Sequence, residues 1–238
     1  FVSNGSDDIL NFAFMAFCDE TCGFPYPKIS YGFYEVYAAL YSLDSKEVAL
    51  KEDFSIDISD YFNAKRTVVI ANPNAPTGLL LSVEDVKKIL DTNRDNVVLI
   101  DEAYIDFGGE SCVELVHEYD NLLVVRTFSK SRCLAGARLG FAIASKELIS
   151  DLEKIKFSTN PYNINRLSLL AGEAAIDSDS YYFDRAKDII EAREYTVTEL
   201  KKRGFTMTDS YANFIFAKHK TVGGEEIYKR LKEKGILV

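Results

Sequence analysis

Apolar residues along the chain follow two rhythms. Four short runs rich in β-branched residues, "TVVIAN" (67–72), "NVVLID" (96–101), "NLLVVRTF" (121–128) and "RLGFAIA" (138–144), predict buried strands. Between the first two lies "SVEDVKKILDTN" (82–93), with apolar residues at helical spacing and Ser82 placed to cap its N-terminus. Strand–helix–strand alternation predicts an α/β fold with a largely parallel sheet covered by helices. After about residue 155 the rhythm changes. "INRLSLLAGEAAI" (164–176) and "YYFDRAKDIIEAREYTVTELKKRG" (181–204) predict long helices, the second closing on basic residues and Gly204. "NFIFAK" predicts a strand, "GGEEIYKRLKEKG" a helix, and "ILV" (236–238) a further strand. The pattern divides into a large region, 1–160, and a smaller α+β region, 161–238. Both ends read as interrupted, so a segment is expected before the first and after the second.

Composition narrows the function classes. Of 238 residues 47% are hydrophobic and 27% charged, enough for a sizeable core. A net charge of −9 with dispersed basic residues argues against nucleic-acid binding, which needs concentrated Lys and Arg. No run approaches the ~20 apolar residues that span a bilayer, and "FVSNGSDDIL" lacks the features of a signal peptide. Cys18, Cys22, Cys112 and Cys133 lack paired zinc-site spacing, and His117 and His219 stand apart, so no metal is predicted. Reduced thiols and a cytoplasmic location are expected.

Ligands of open α/β sheets gather beyond the carboxyl ends of the strands. Those ends deliver "NPNAPTG" (72–78), "DEAY" (101–104) and "SK" (129–130), with Arg138 opening the next strand. Singly, each has a bland explanation. Lys130 could be a solvated loop lysine, Asp101 a turn former, Tyr104 a half-buried tyrosine and Ser6 a helix cap. Tyr31 lies in an aromatic helical stripe of the kind that is usually core. A carboxylate, a phenol, amides, a lysine and an arginine facing one crevice are harder to explain that way.

The motifs "NGSDD", "ANPNAPTG", "DEAYIDF", "TFSKSRCLAGARLGF", "PYNIN" and "SYANF" run in order along nearly the whole chain. In them the sequence resembles the fold-type I, pyridoxal-phosphate-dependent aminotransferases, and among these the histidinol-phosphate aminotransferases. The resemblance implies that Lys130 forms a Schiff base with pyridoxal 5′-phosphate and later moves a proton between substrate and cofactor. It implies that Asp101 faces the pyridine nitrogen, Tyr104 the cofactor O3′, and that Tyr31 stacks on the ring. Gly5, Ser6 and Asp7 at a helix start, with Ser129 and Arg138, are implied to hold the phosphate, the Asp7 carboxylate turned away. Many relatives have Asn before Pro-Thr-Gly where this chain has Ala75, so either Asn72 or Asn74 supplies that amide or the contact is absent. Asn213 is expected near the substrate carboxylate or phosphate, or else forms a strand-entry turn. Arg126 and Arg132 receive no role beyond surface or interface.

The implied reaction is a ping-pong transamination between histidinol phosphate and 2-oxoglutarate, a step of histidine biosynthesis, in a homodimer. An aromatic-amino-acid aminotransferase, a threonine-phosphate decarboxylase or a non-catalytic cofactor-binding protein would share most of these motifs.

Overall fold

The computed structural model describes residues 1–21 and 23–238; Cys22, one of the four cysteines considered above, lies outside the described residues. From the N-terminus the chain forms β1 (Val2–Ser3), α1 (Ser6–Phe17), β2 (Pro25–Pro27), α2 (Phe33–Leu40) and β3 (Lys46–Val48). Then come β4 (Val68–Ala71), α3 (Val83–Thr92), β5 (Val98–Asp101), β6 (Leu122–Thr127) and β7 (Gly140–Ala144). The remainder is α4 (Lys146–Thr159), α5 (Arg166–Asp177), α6 (Asp179–Lys202), β8 (Phe205–Met207), β9 (Ala217–His219) and α7 (Gly224–Glu233).

The main sheet has the order β1-β7-β6-β5-β4. It is largely parallel, as expected, with β7 the one strand of this sheet that runs against the others. β4, β5 and β6 are parallel neighbours, whereas β7 is antiparallel to both β6 and β1. The reason lies in the connections. A parallel neighbour needs a long crossover, which α3 supplies between β4 and β5. Between β6 and β7 there is only one 3-10 turn, Ala135–Ala137, and Phe128 N–H donates to Leu139 O, so the chain doubles straight back.

Strand residues alternate between two cores. Val69, Ala71, Leu99, Leu123 and Val125 pack with α1, α2 and Leu152 of α4. Val68, Ile70, Val98, Ile100, Leu122 and Val124 pack with Val86, Ile89 and Leu90 of α3. Burial on both faces explains the unbroken apolar runs. Each such side chain contributes about 1.5–3 kcal/mol on leaving water, which makes this sheet a stiff platform for whatever its carboxyl ends carry.

α3 begins as its sequence predicts: the Ser82 hydroxyl accepts from Asp85 N–H at 3.1 Å. α6 ends at Lys202, two residues before Gly204, whose φ of +86° is the left-handed conformation that glycine adopts without strain. Two predicted strands differ. In 213–218 only Ala217 onward pairs, with β8, because Ser210 bends the preceding loop by accepting from Ala212 N–H and donating to Phe214 O. "ILV" forms no strand and pairs with none of the strands among the described residues. No helix among the described residues is long and apolar enough to cross a membrane.

Candidate active site

Three parallel strands end together, and the loops leaving them enclose a cleft. Its walls come from Ser6, Asp7, Tyr31, Ala71, Pro73, Ala75, Asp101, Ala103, Tyr104, Thr127, Ser129, Lys130 and Arg138. Eight of the residues singled out from sequence thus meet around one space.

Asp101 closes β5 and is 5% exposed. Its two oxygens are fixed by different donors: the Tyr34 hydroxyl at 3.2 Å and Ala103 N–H at 3.2 Å. Burial pushes its pKa up to about 6, while these hydrogen bonds and the nearby Lys130 act in the opposite sense. Such a carboxyl is a costly thing to enclose unless a cation is to face it. Tyr34 is fully buried and its own pKa is raised by burial and by Asp101, so it remains a donor.

Lys130 lies in the loop after β6, its ammonium 4.9 Å from the centre of the Tyr104 ring. Phe214 packs edge-on against the same ring, at 5.0 Å between centroids. Tyr104 is thereby held between the amine and the segment 210–214. A lysine oriented this way, beside a buried carboxyl and facing a cleft, is placed to react with an electrophile.

The start of α1 presents hydrogen-bond donors to the cleft. No side chain caps this helix, which leaves its first N–H groups available beside the cleft. Gly5 has φ +86°, and a Cβ there would come within 2.5 Å of Arg138 Nη2. The positive φ favours glycine, and a Cβ would also push the Arg138 guanidinium aside. Arg138 itself sits in the left-handed region at φ 51°, an unfavourable backbone for a non-glycine residue, with its side chain turned to the cleft. The hydroxyls of Ser6 and Ser129 complete the donors.

Several expectations are corrected. The Asp7 carboxylate does not turn away. It lines the cleft, accepts from the Tyr31 hydroxyl at 2.8 Å and pairs with Arg138 at 3.3 Å, because the guanidinium is the nearest cation to it. Asn72 and Asn74 stay out of the cleft, their amides being consumed elsewhere. Asn72 exchanges two hydrogen bonds with the Leu81 backbone, and Asn74 binds Ile29 O, Thr77 and Ser30. Ala75 and Pro73 form that wall instead. Asn213 is exposed and outside the lining, whereas its neighbour Phe214 reaches Tyr104.

Arg126 and Arg132 are not simple surface residues. Arg126 grips the buried Glu102 through Nε and Nη2, both at 3.0 Å. Arg132 pairs with Asp179 at 2.8 Å beside the rings of Tyr182 and Phe183. Sequence reasoning also missed Tyr34 and Thr127. Tyr34 is separated from Asp101 by 67 positions, and its only sequence signal is membership of the aromatic stripe in α2.

Comparison with known proteins agrees with this arrangement. The family described as "Aminotransferase class I and II" matches residues 1–238. Histidinol-phosphate aminotransferase of Brachyspira hyodysenteriae is 53% identical over 239 residues, spanning 100% of this chain and 68% of that protein. The crystal structure of the histidinol-phosphate aminotransferase from Clostridium acetobutylicum superposes with a TM-score of 0.89 at 28% identity, covering 100% of this chain and 72% of that one. The Sinorhizobium meliloti enzyme of the same name, crystallised in complex with pyridoxal-5′-phosphate, shares the fold with a TM-score of 0.88 at 21% identity, over 100% of this chain and 67% of its own. A small-molecule cleft built on such a fold, and a match along the whole chain, lead to one conclusion: this protein belongs to the class I and II aminotransferases, a pyridoxal-phosphate-dependent family.

Proposed function

We propose that the chain transfers the amino group of histidinol phosphate to 2-oxoglutarate, giving imidazole-acetol phosphate and glutamate. The observation that most supports a transaminase site is the convergence of Lys130, Asp101 and Arg138 on one cleft at the strand ends. The substrate reading rests on likeness to the Brachyspira protein of that name.

The cleft fits pyridoxal phosphate on its donor set. An uncapped helix start, two hydroxyls and an arginine suit a phosphate, and a buried carboxyl suits a ring nitrogen that carries a proton. When bound, the cofactor supplies an aldehyde to receive the amino group and a ring to take up the electron pair released at the substrate Cα. Lys130 is the residue that would hold the aldehyde through its ε-amine, and the same amine would serve as the proton carrier at the substrate Cα. Asp101, ionised by that pairing, keeps the ring nitrogen protonated. Tyr34 and Ala103 N–H keep Asp101 oriented. Tyr31, which lines the cleft, would be the aromatic residue beside the ring. Arg138, Ser6, Ser129 and the α1 amides hold the phosphate, for which Arg138 exchanges its contact with Asp7.

The same reading assigns cofactor binding to the large region, 1–160, and takes 161–238 as a smaller C-terminal domain. It includes a homodimer and a cytoplasmic location. The exposed apolar side chains Phe33, Val36 and Leu40 along α2 favour association.

The test is the visible spectrum of the cofactor-loaded protein. Histidinol phosphate should abolish the visible band and 2-oxoglutarate should restore it. A band indifferent to histidinol phosphate but discharged by phenylalanine, or carbon dioxide release from O-phosphothreonine, would overturn the substrate.

A further inference from the structure

Asp101 and Lys130 stand on different loops, and their neighbours are tied together. Glu102 directly follows Asp101. Its side chain is wholly buried, and its carboxylate accepts from Ser111 Oγ at 2.7 Å, Cys112 N–H at 2.8 Å and Arg126 at 3.0 Å. Arg126, on β6, extends Nη1 to Asp106 Oδ1 at 3.5 Å. The other oxygen of Asp106 accepts from the hydroxyl of Ser131, which is 7% exposed and directly follows Lys130. An unbroken polar path thus joins the residue after Asp101 to the residue after Lys130.

A fold does not need this path for stability. An ion pair removed from water recovers little more than its desolvation cost, and apolar residues of similar volume serve a core as well. What an enclosed network with satisfied members does supply is a fixed geometry. Arg126 lies on the strand between the two loops, and its fork makes contacts on both sides at once.

We infer that Glu102, Arg126, Asp106 and Ser131 form a positioning bridge that sets the Lys130 amine against Asp101. The bridge rests on the cofactor reading above, since it matters only if those two groups serve one ligand. Ser131 is its terminal link and the place where it can be cut without stranding a buried charge.

The experiment compares wild type, Ser131→Ala and Ser131→Thr, each loaded with pyridoxal phosphate. Four quantities are read: visible-band intensity at saturation, the kcat and the KM for histidinol phosphate, and thermal unfolding of the cofactor-free form. Ser131→Ala should lower kcat by about tenfold with KM unchanged, as expected for a displaced reacting group. Its visible band should weaken because less cofactor is bonded to Lys130, and Ser131→Thr, which keeps the hydroxyl, should restore both. Wild-type kcat and band in Ser131→Ala would overturn the bridge alone. A Ser131→Ala defect that threonine does not rescue, or one that follows lost thermal stability, would also overturn it. Wild type without any visible band would overturn the cofactor reading and the bridge together.

Discussion

Asp101 is a carboxyl sealed from water at the end of β5, with its pKa raised from 3.8 to about 6 chiefly by burial. In the folded, cofactor-free protein it holds its proton more tightly than in the unfolded chain. Stability linked to this group therefore falls as pH rises from about 4 through about 6, and the cost is fully present above that window. A shift of this size corresponds to about 3 kcal/mol at most. Asp101→Asn should remove the gradient, so urea unfolding of the cofactor-free variant should show higher stability than wild type at pH 8 and little difference at pH 4. The same substitution should cut transamination by about 10²-fold or more, because an amide cannot hold the ring nitrogen protonated. Tyr34→Phe keeps the packing but withdraws one donor from Asp101. It should move the Asp101 titration upward, detected as a shift of that stability window to higher pH.

At the scale of elements, the uncapped start of α1 and the capped start of α3 serve different ends. Ser82→Ala should cost about 1 kcal/mol of stability in chemical unfolding and leave turnover unchanged. Gly5→Ala should instead weaken cofactor affinity by at least about tenfold, read by equilibrium titration, since it strains the turn and pushes on Arg138. The helices and the interior strands were legible because their periodicity and end residues, such as Ser82 and Gly204, express local forces. β7 was legible as a strand but not in its direction, which depends on the length and shape of the 128–139 connection. "ILV" has the composition of a strand, yet pairing requires a neighbour that apolar content cannot supply.

Across the whole molecule, the convergence of strand ends on one cleft was legible, because the carboxyl end of a sheet gathers residues distant in sequence. The directions of side chains within it were not. Asn72 turns to the Leu81 backbone, Asn74 to Ile29 and Ser30, Asp7 toward Arg138, and Arg126 reaches inward to Glu102. Each is decided by a partner dozens of positions away or by a loop carbonyl, neither of which a motif encodes. A homodimer should sediment at about twice the 26.8 kDa of the single chain; a single-chain mass at micromolar concentration would contradict it. The central claim is that Lys130 is the one lysine that bonds the cofactor. Its most direct test is borohydride reduction of the pyridoxal-phosphate-loaded protein, followed by peptide mass mapping. A cofactor mass on the peptide carrying Lys130, and on no other, is the result expected. A mark on a different lysine, or an unmodified Lys130 peptide at saturating cofactor, would contradict the account.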